Sequence, residues 1–317
     1  MRKFVIVGLL LIMALAGMMP AVTAQEDTGA LEPGHLVLSL DSGGAARVNR
    51  MDWDVNAFAP VHAGTTVRGS DYVDLSGRTT VYIVCTDLTL LTQRGSEAPR
   101  CDPYPSAPAF YYLDDPTWLP AEGAITVVTQ SGTTVPAEVT TADSHNRNEL
   151  VGDELTQVTA RTDAILGLEL DASAKAFALA SFYRTEGMYY DALTTLAALP
   201  DLGCTARRPS VDAPDSEPVP LVQSPSVYVR IGELYQLLGQ PEDALRNYRC
   251  AASLSEALED PANTALSYAR QGNLVQDPGQ AVQFYQIAID NYATLGAQDN
   301  LNAMAEICGL RNCTVPE

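Results

Sequence analysis

The stretch from Pro225 to Leu258, PSVYVRIGELYQLLGQPEDALRNYRCAASLSEAL, decides the fold of the C-terminal half. Small and aromatic residues stand where two antiparallel helices must touch: Tyr228, Ile231, Gly232, Tyr235, Gly239, Ala244, Tyr248 and Ala251. Glycine and alanine at such points let helix axes approach closely, and the aromatic rings fill the gaps between neighbouring units. Gly239 falls at the interhelical turn. A generic helical bundle shows the same 3.6-residue periodicity but has no need of small residues at fixed offsets together with a glycine at the turn.

With Pro225 as position 1, these residues occupy positions 4, 7, 8, 11, 15, 20, 24 and 27, a pattern that resembles the tetratricopeptide repeat. The register extends outward. Ahead of it, Leu179, Ala180, Tyr183, Gly187 and Ala192 match positions 7, 8, 11, 15 and 20. Behind it, Ala269, Ala281, Tyr285 and Ala288 match 8, 20, 24 and 27, while Gly272 stands at the aromatic position 11 and Gln276 at the glycine position 15. The third unit is therefore degenerate, though Asp277-Pro278 suits the cap and first turn of its second helix. Asn291 to Leu310 reads as a capping helix with Leu301, Met304 and Ile307 inward.

The resemblance implies a concave face lined by the first helix of each unit. Carried over, it gives Phe177, Ser181 and Arg184 in the first unit, Val229, Glu233, Gln236 and Leu237 in the second, and Leu266, Arg270 and Asn273 in the third. That mixture suits an extended peptide or a partner helix, and it lacks the dense basic clamp that reads a C-terminal carboxylate. The alternative is that these positions are solvated or covered by the insertion Pro200 to Ser224, whose prolines forbid a regular helix.

Upstream the texture changes. From His35 short apolar runs alternate with Gly and Asp turns: Leu36 to Leu40, Ala45 to Val48, Trp53 to Phe58, Thr65 to Val67, Tyr72 to Leu75 and Thr79 to Asp87, with Phe110 to Leu113 and Ala124 to Thr129 as candidate edges. Such spacing predicts a small sandwich or barrel. The run Pro60 to Val73, PVHAGTTVRGSDYV, followed by a turn and the strand Thr80 to Val84, resembles the FecR-like periplasmic β-module over about 30 residues. It departs from that family at Asp87-Leu88-Thr89, where an Asp-Gly-Ser turn is usual, so no sensory role is carried over. The expected fold class is α+β multidomain: a leader over 1–24, a β-rich domain over 25–143, and a helical repeat domain over 144–317 with the insertion 200–224, its first helix reading over Asn148 to Leu170.

Arg2 and Lys3, the apolar stretch Phe4 to Met19 and Val22-Thr23-Ala24 form a bacterial-type export signal cleaved before Gln25. An uncleaved anchor is the alternative, against which the apolar run is shorter than the ~20 residues a spanning helix needs. The balance of 19 Lys and Arg against 39 Asp and Glu gives a net charge of −20, and cleavage makes it more negative. A field of that sign repels nucleic acid and anionic lipid. Six cysteines in an exported chain read as three disulfides. Spacing favours Cys85 with Cys101, Cys308 with Cys313, and hence Cys204 with Cys250.

No catalytic signature is present. Asp41-Ser42-Gly43 is what an ordinary hairpin turn wants, and there is no GxSxG, HExxH, P-loop or dinucleotide fingerprint. No CxxC pair exists, and His35, His62 and His145 lie far from the later cysteines, so neither a metal nor a cofactor is expected. Trp53 and Trp118, with Tyr111 and Tyr112, could form a sugar platform, though core packing is the commoner use of such rings. The chain thus reads as a secreted or cell-envelope scaffold that binds a protein or peptide and is not an enzyme. A glycan-binding protein with the repeats as spacer is the runner-up, and a site of dispersed carboxylates would leave no legible pattern.

Overall fold

In a computed structural model of the chain the described residues are 32–41, 44–102, 105, 107–112, 144–204 and 219–311, the last four for backbone only. The strands come first: β1 (His35–Asp41), β2 (Ala46–Asn49), β3 (Ala59–Pro60), β4 (Thr66–Val67), β5 (Tyr72–Leu75), β6 (Thr80–Val84) and β7 (Leu90–Gln93). They form two antiparallel sheets, ordered β4-β1-β6-β7 and β3-β2-β5. Val37, Val67, Val81 and Ile83 of the first sheet share a core with Ala46, Val48, Ala59 and Val73 of the second. The other face of the first sheet is also covered: Leu36, Leu38 and Val84 pack with residues of the helices. Burial on both faces explains why β1 reads Leu-Val-Leu instead of alternating. A register shift between Val37 and Ser39 places a bulge at Leu38.

Two expectations change here. Trp53 to Phe58 is not a strand, because its backbone groups bond locally. Trp53 N–H donates to the Arg50 carbonyl, Ala57 N–H to the Asp54 carbonyl, and the Asn49 side-chain amide to the carbonyls of Asp54 and Ala57. Beyond β6 the chain turns at Asp87-Leu88-Thr89 and returns as β7, a strand that the apolar patterning hid. Leu88 adopts φ 71°, the left-handed conformation for which glycine is the usual choice. The Asp87 carboxylate holds the turn by accepting from the Thr89 N–H and hydroxyl. Of the candidate edges, Tyr111 makes a single bridge to Pro33, while Leu113 and Ala124 to Thr129 lie outside the described residues.

The helices follow: α1 (Gly152–Gly167), α2 (Ala172–Thr185), α3 (Tyr189–Ala197), α4 (Pro225–Leu237), α5 (Pro241–Ala257), α6 (Pro261–Leu274), α7 (Pro278–Leu295) and α8 (Gln298–Arg311). Starts are marked by capping carboxylates: Asp171, Asp260 and Asp277 accept the backbone N–H three residues on. Proline occupies the first turn of α4 to α7. Consecutive helices pack as pairs, α2 on α3, α4 on α5 and α6 on α7. Gly187 and Gly239 turn the first two pairs with φ of 75° and 69°.

The glycines inside the pairs carry the closest contacts. A Cβ at Gly232 would lie 2.6 Å from the ring of Tyr248, and one at Gly272 would lie 2.5 Å from the ring of Tyr285. The third pair thus keeps its glycine opposite the tyrosine, one helical turn later than the second. The expected capping helix is divided: α7 runs to Leu295, Gly296 turns with φ 59°, and α8 packs Leu301 and Met304 inward, with Ile307 partly buried against the same core. Disulfides join Cys85 to Cys101 and Cys204 to Cys250, with Cα separations of 5.7 and 5.5 Å. The second ties the residues after α3 to α5. The expected Cys308–Cys313 bridge and the leader lie outside what is described, as does 205–218 of the insertion. Among the described residues no helix is long and apolar enough to cross a membrane.

Candidate functional site

The ten residues that the repeat resemblance assigns to a concave face fall on α2, α4 and α6. All are buried: Phe177, Ser181, Arg184, Val229, Glu233, Gln236, Leu237, Leu266, Arg270 and Asn273, with Gln236 the most exposed at 8%. Six of them are polar or charged. Glu233 sits at the centre of the charge, its carboxylate 3.1 Å from Arg230 Nη1 and 3.6 Å from both Arg184 Nε and Arg270 Nη2. Three helices therefore deliver three guanidinium groups to one carboxylate. Burial, partly offset by Glu233, lowers Arg184 to about 10. Arg230 was not among the residues carried over from the resemblance; the Arg230-x-x-Glu233 pairing along α4 is the local signal that points to it.

Gln236 and Asn273 serve a different contact. The Tyr248 hydroxyl donates to Gln236 Oε1 at 3.0 Å, and the Tyr285 hydroxyl donates to Asn273 Oδ1 at 2.7 Å. Complete burial pushes the Tyr248 hydroxyl far above its usual range, which keeps it a donor. These two amides fasten each first helix to its own second helix.

The β-module packs against part of this face, and so does Leu221 at the end of the insertion. Leu36, Leu38, Val84 and Phe110 join one apolar cluster with Phe177, Val229 and Leu266. The loop between β3 and β4 approaches α2 and α4. At Gly64, φ 94°, a Cβ would lie 3.2 Å from Ser226 Cβ and 3.3 Å from Phe177 Cζ. His62, two residues earlier, places Nε2 3.6 Å from Asp260 Oδ2 at the start of α6. Two further ties lie outside this face. Asp54 N–H donates to the Leu295 carbonyl at 3.1 Å, and the Arg161 guanidinium donates to the Ala107 carbonyl. Among the described residues Ser181 Oγ, Ser224 Oγ, Ser267 Oγ and His62 Nε2 are buried with no hydrogen-bond partner.

A second ionic cluster lies within the β-module and is better matched. Asp71 accepts from Arg50 at 3.2 Å and from Arg68 at 3.1 Å, and Arg68 also reaches Asp52 at 2.7 Å. The Tyr112 ring lies 4.8 and 4.7 Å from the two guanidinium carbons. Asp71 additionally accepts the Arg68 N–H, so this cluster shapes the turn before β5. The residues considered for chemistry are otherwise engaged. The Asp41 carboxylate accepts the Tyr82 hydroxyl at 2.7 Å, and Ser42 and Gly43 lie outside the described residues. His35 stands near Cys85 and Cys101, but those sulfurs share a disulfide and His35 Nδ1 accepts the Thr86 N–H. Trp53 is packed in the sandwich core, and Trp118 lies outside the described residues. The chain matches no protein-family model, no curated protein and no solved structure.

Proposed function

We propose that this is an exported, non-enzymatic scaffold that binds a protein or peptide segment through the first-helix face of a short tetratricopeptide-like array. In the form described, its own β-module and the end of the insertion pack against part of that face, and a partner must displace them. One observation carries the reading: six of the ten positions are polar or charged, yet every one is buried. A permanent core selects apolar residues and leaves few polar groups unmet. A recognition surface keeps arginine, glutamate, amide and hydroxyl groups even when something covers it. The unpartnered hydroxyl of Ser181, one of the ten, fits an occupant that is not the best one available. Two disulfides suit an oxidising compartment outside the cytoplasm, in agreement with the leader.

Photo-crosslinking tests this. A crosslinking side chain at Ser181 or Val229 of the mature chain should report residues 59–67 when the protein is alone. In an extract of exported proteins from its source it should report a second protein, with the internal crosslink reduced in proportion. A partner captured elsewhere, with the internal crosslink unchanged, sinks the proposal.

A further inference from the structure

The loop that seats the β-module carries one ionisable group into the joint. His62 is 9% exposed and Asp260, opposite it, is 1% exposed. The His62 N–H and carbonyl are both committed to Thr65, through its hydroxyl at 3.1 Å and its N–H at 3.0 Å. The His62 backbone is thereby held in a tight turn, and at Gly64 behind it an added Cβ would press on Ser226 and Phe177. Asp260 is fixed as well: Oδ1 accepts the Asn263 N–H at 3.1 Å and Oδ2 accepts the Asn263 side-chain amide at 2.7 Å. Each partner is held by its own element, and 3.6 Å separates them.

We propose that His62 is an acid-sensitive latch: neutral, it lets the β3–β4 loop seat against α2, α4 and α6; protonated, it loosens that seat and uncovers the first-helix face. The idea rests on the reading of that face as a binding surface. Phe177 from α2 and Ser226 from α4, which flank Gly64 two residues on, carry no charge. Asp260 of α6 is the one charged group that acts on it. A new cation there has a single fixed carboxylate beyond hydrogen-bonding distance and no water-like surroundings. Burial outweighs Asp260 and lowers His62 from its ordinary value of 6.5. The sign follows from linkage. The seated form is favoured in full above about 6.5, and the advantage is lost as pH falls from there through the depressed value, roughly tenfold in population per pH unit.

Hydrogen exchange on the full mature chain, corrected for intrinsic rates, tests the latch. Between pH 7.5 and 5.0, peptides covering residues 61–67 and 260–266 should lose protection in the parent protein, by up to about tenfold for each pH unit between 6.5 and the depressed value. His62→Gln should hold them constant. Asp260→Asn, which keeps an N-cap side chain, should respond at least as strongly as the parent because the one compensating charge is gone. Circular dichroism at pH 7.5 checks that both variants fold. Equal acid sensitivity in His62→Gln, or constant protection in the parent, overturns the latch. Repeating the crosslinking at both pH values separates the two ideas. A partner that crosslinks equally at either pH, with constant exchange, overturns the latch alone. An acid-opened loop with no partner crosslink overturns the binding reading alone.

Discussion

Helix α4 has two buried sides built from different chemistry. Toward α5 it presents Gly232 to the flat ring of Tyr248, whose hydroxyl donates to Gln236, and nothing polar is left over in that contact. On the first-helix face it presents Glu233 and Arg230 among guanidinium groups from α2 and α6, and on that face the Ser181 hydroxyl finds no partner. The first side has the marks of a core and the second those of an interface. Burial alone does not tell them apart, since residues on both sides are below a tenth exposed. The completeness of polar pairing does.

The largest effect should come from breaking the charged side. Glu233→Gln leaves three buried guanidinium groups without their shared carboxylate, and removing one member of a buried ionic cluster typically costs about 3–5 kcal/mol. Chemical denaturation would measure it, and a loss under about 1 kcal/mol would show that the carboxylate is not central to the cluster. The closed side is challenged next by Gly232→Ala and Gly272→Ala. Alanine gains about 1 kcal/mol of helix propensity, but its methyl would sit 2.6 or 2.5 Å from a fully buried tyrosine ring. Overpacking of that kind costs about 1–3 kcal/mol, so the net change should be destabilising at both sites and similar in size. A tolerated Gly272→Ala would mean that the third pair does not use its displaced glycine as the second pair uses Gly232.

Much of the helical part could be read from local spacing. Gly187 and Gly239 turn their pairs as position 15 predicts, and the two cysteine pairings that could be described follow from spacing. What escaped has physical reasons. β7 hides because Leu88 takes a glycine conformation, so no turn residue announces it. Trp53 to Phe58 looks like a strand because the side chains suit one, while Asn49 takes the carbonyls a neighbour would need. The packing of the β-module on the first helices left little local signal: His62 and Asp260 meet from distant parts of the chain. Only the apolar run Leu36-Val37-Leu38, too continuous for a sheet with one wet face, hinted that something packs on both sides.

The smallest expected effect distinguishes the tyrosine seams from each other. Tyr248→Phe and Tyr285→Phe each remove one hydroxyl that donates to a buried amide oxygen, leaving the ring and its glycine contact intact. A net loss of about 1 kcal/mol is expected for each, from the bond itself and from the amide oxygen stripped of its donor. The two amides differ in their surroundings. Asn273 is 4% exposed and Gln236 is 8% exposed, so water can reach Gln236 more readily and replace the lost donor. Tyr285→Phe should therefore cost somewhat more than Tyr248→Phe. The reverse order would place the weaker polar pairing in the third pair, and with it the more readily opened end of the face that the β-module covers.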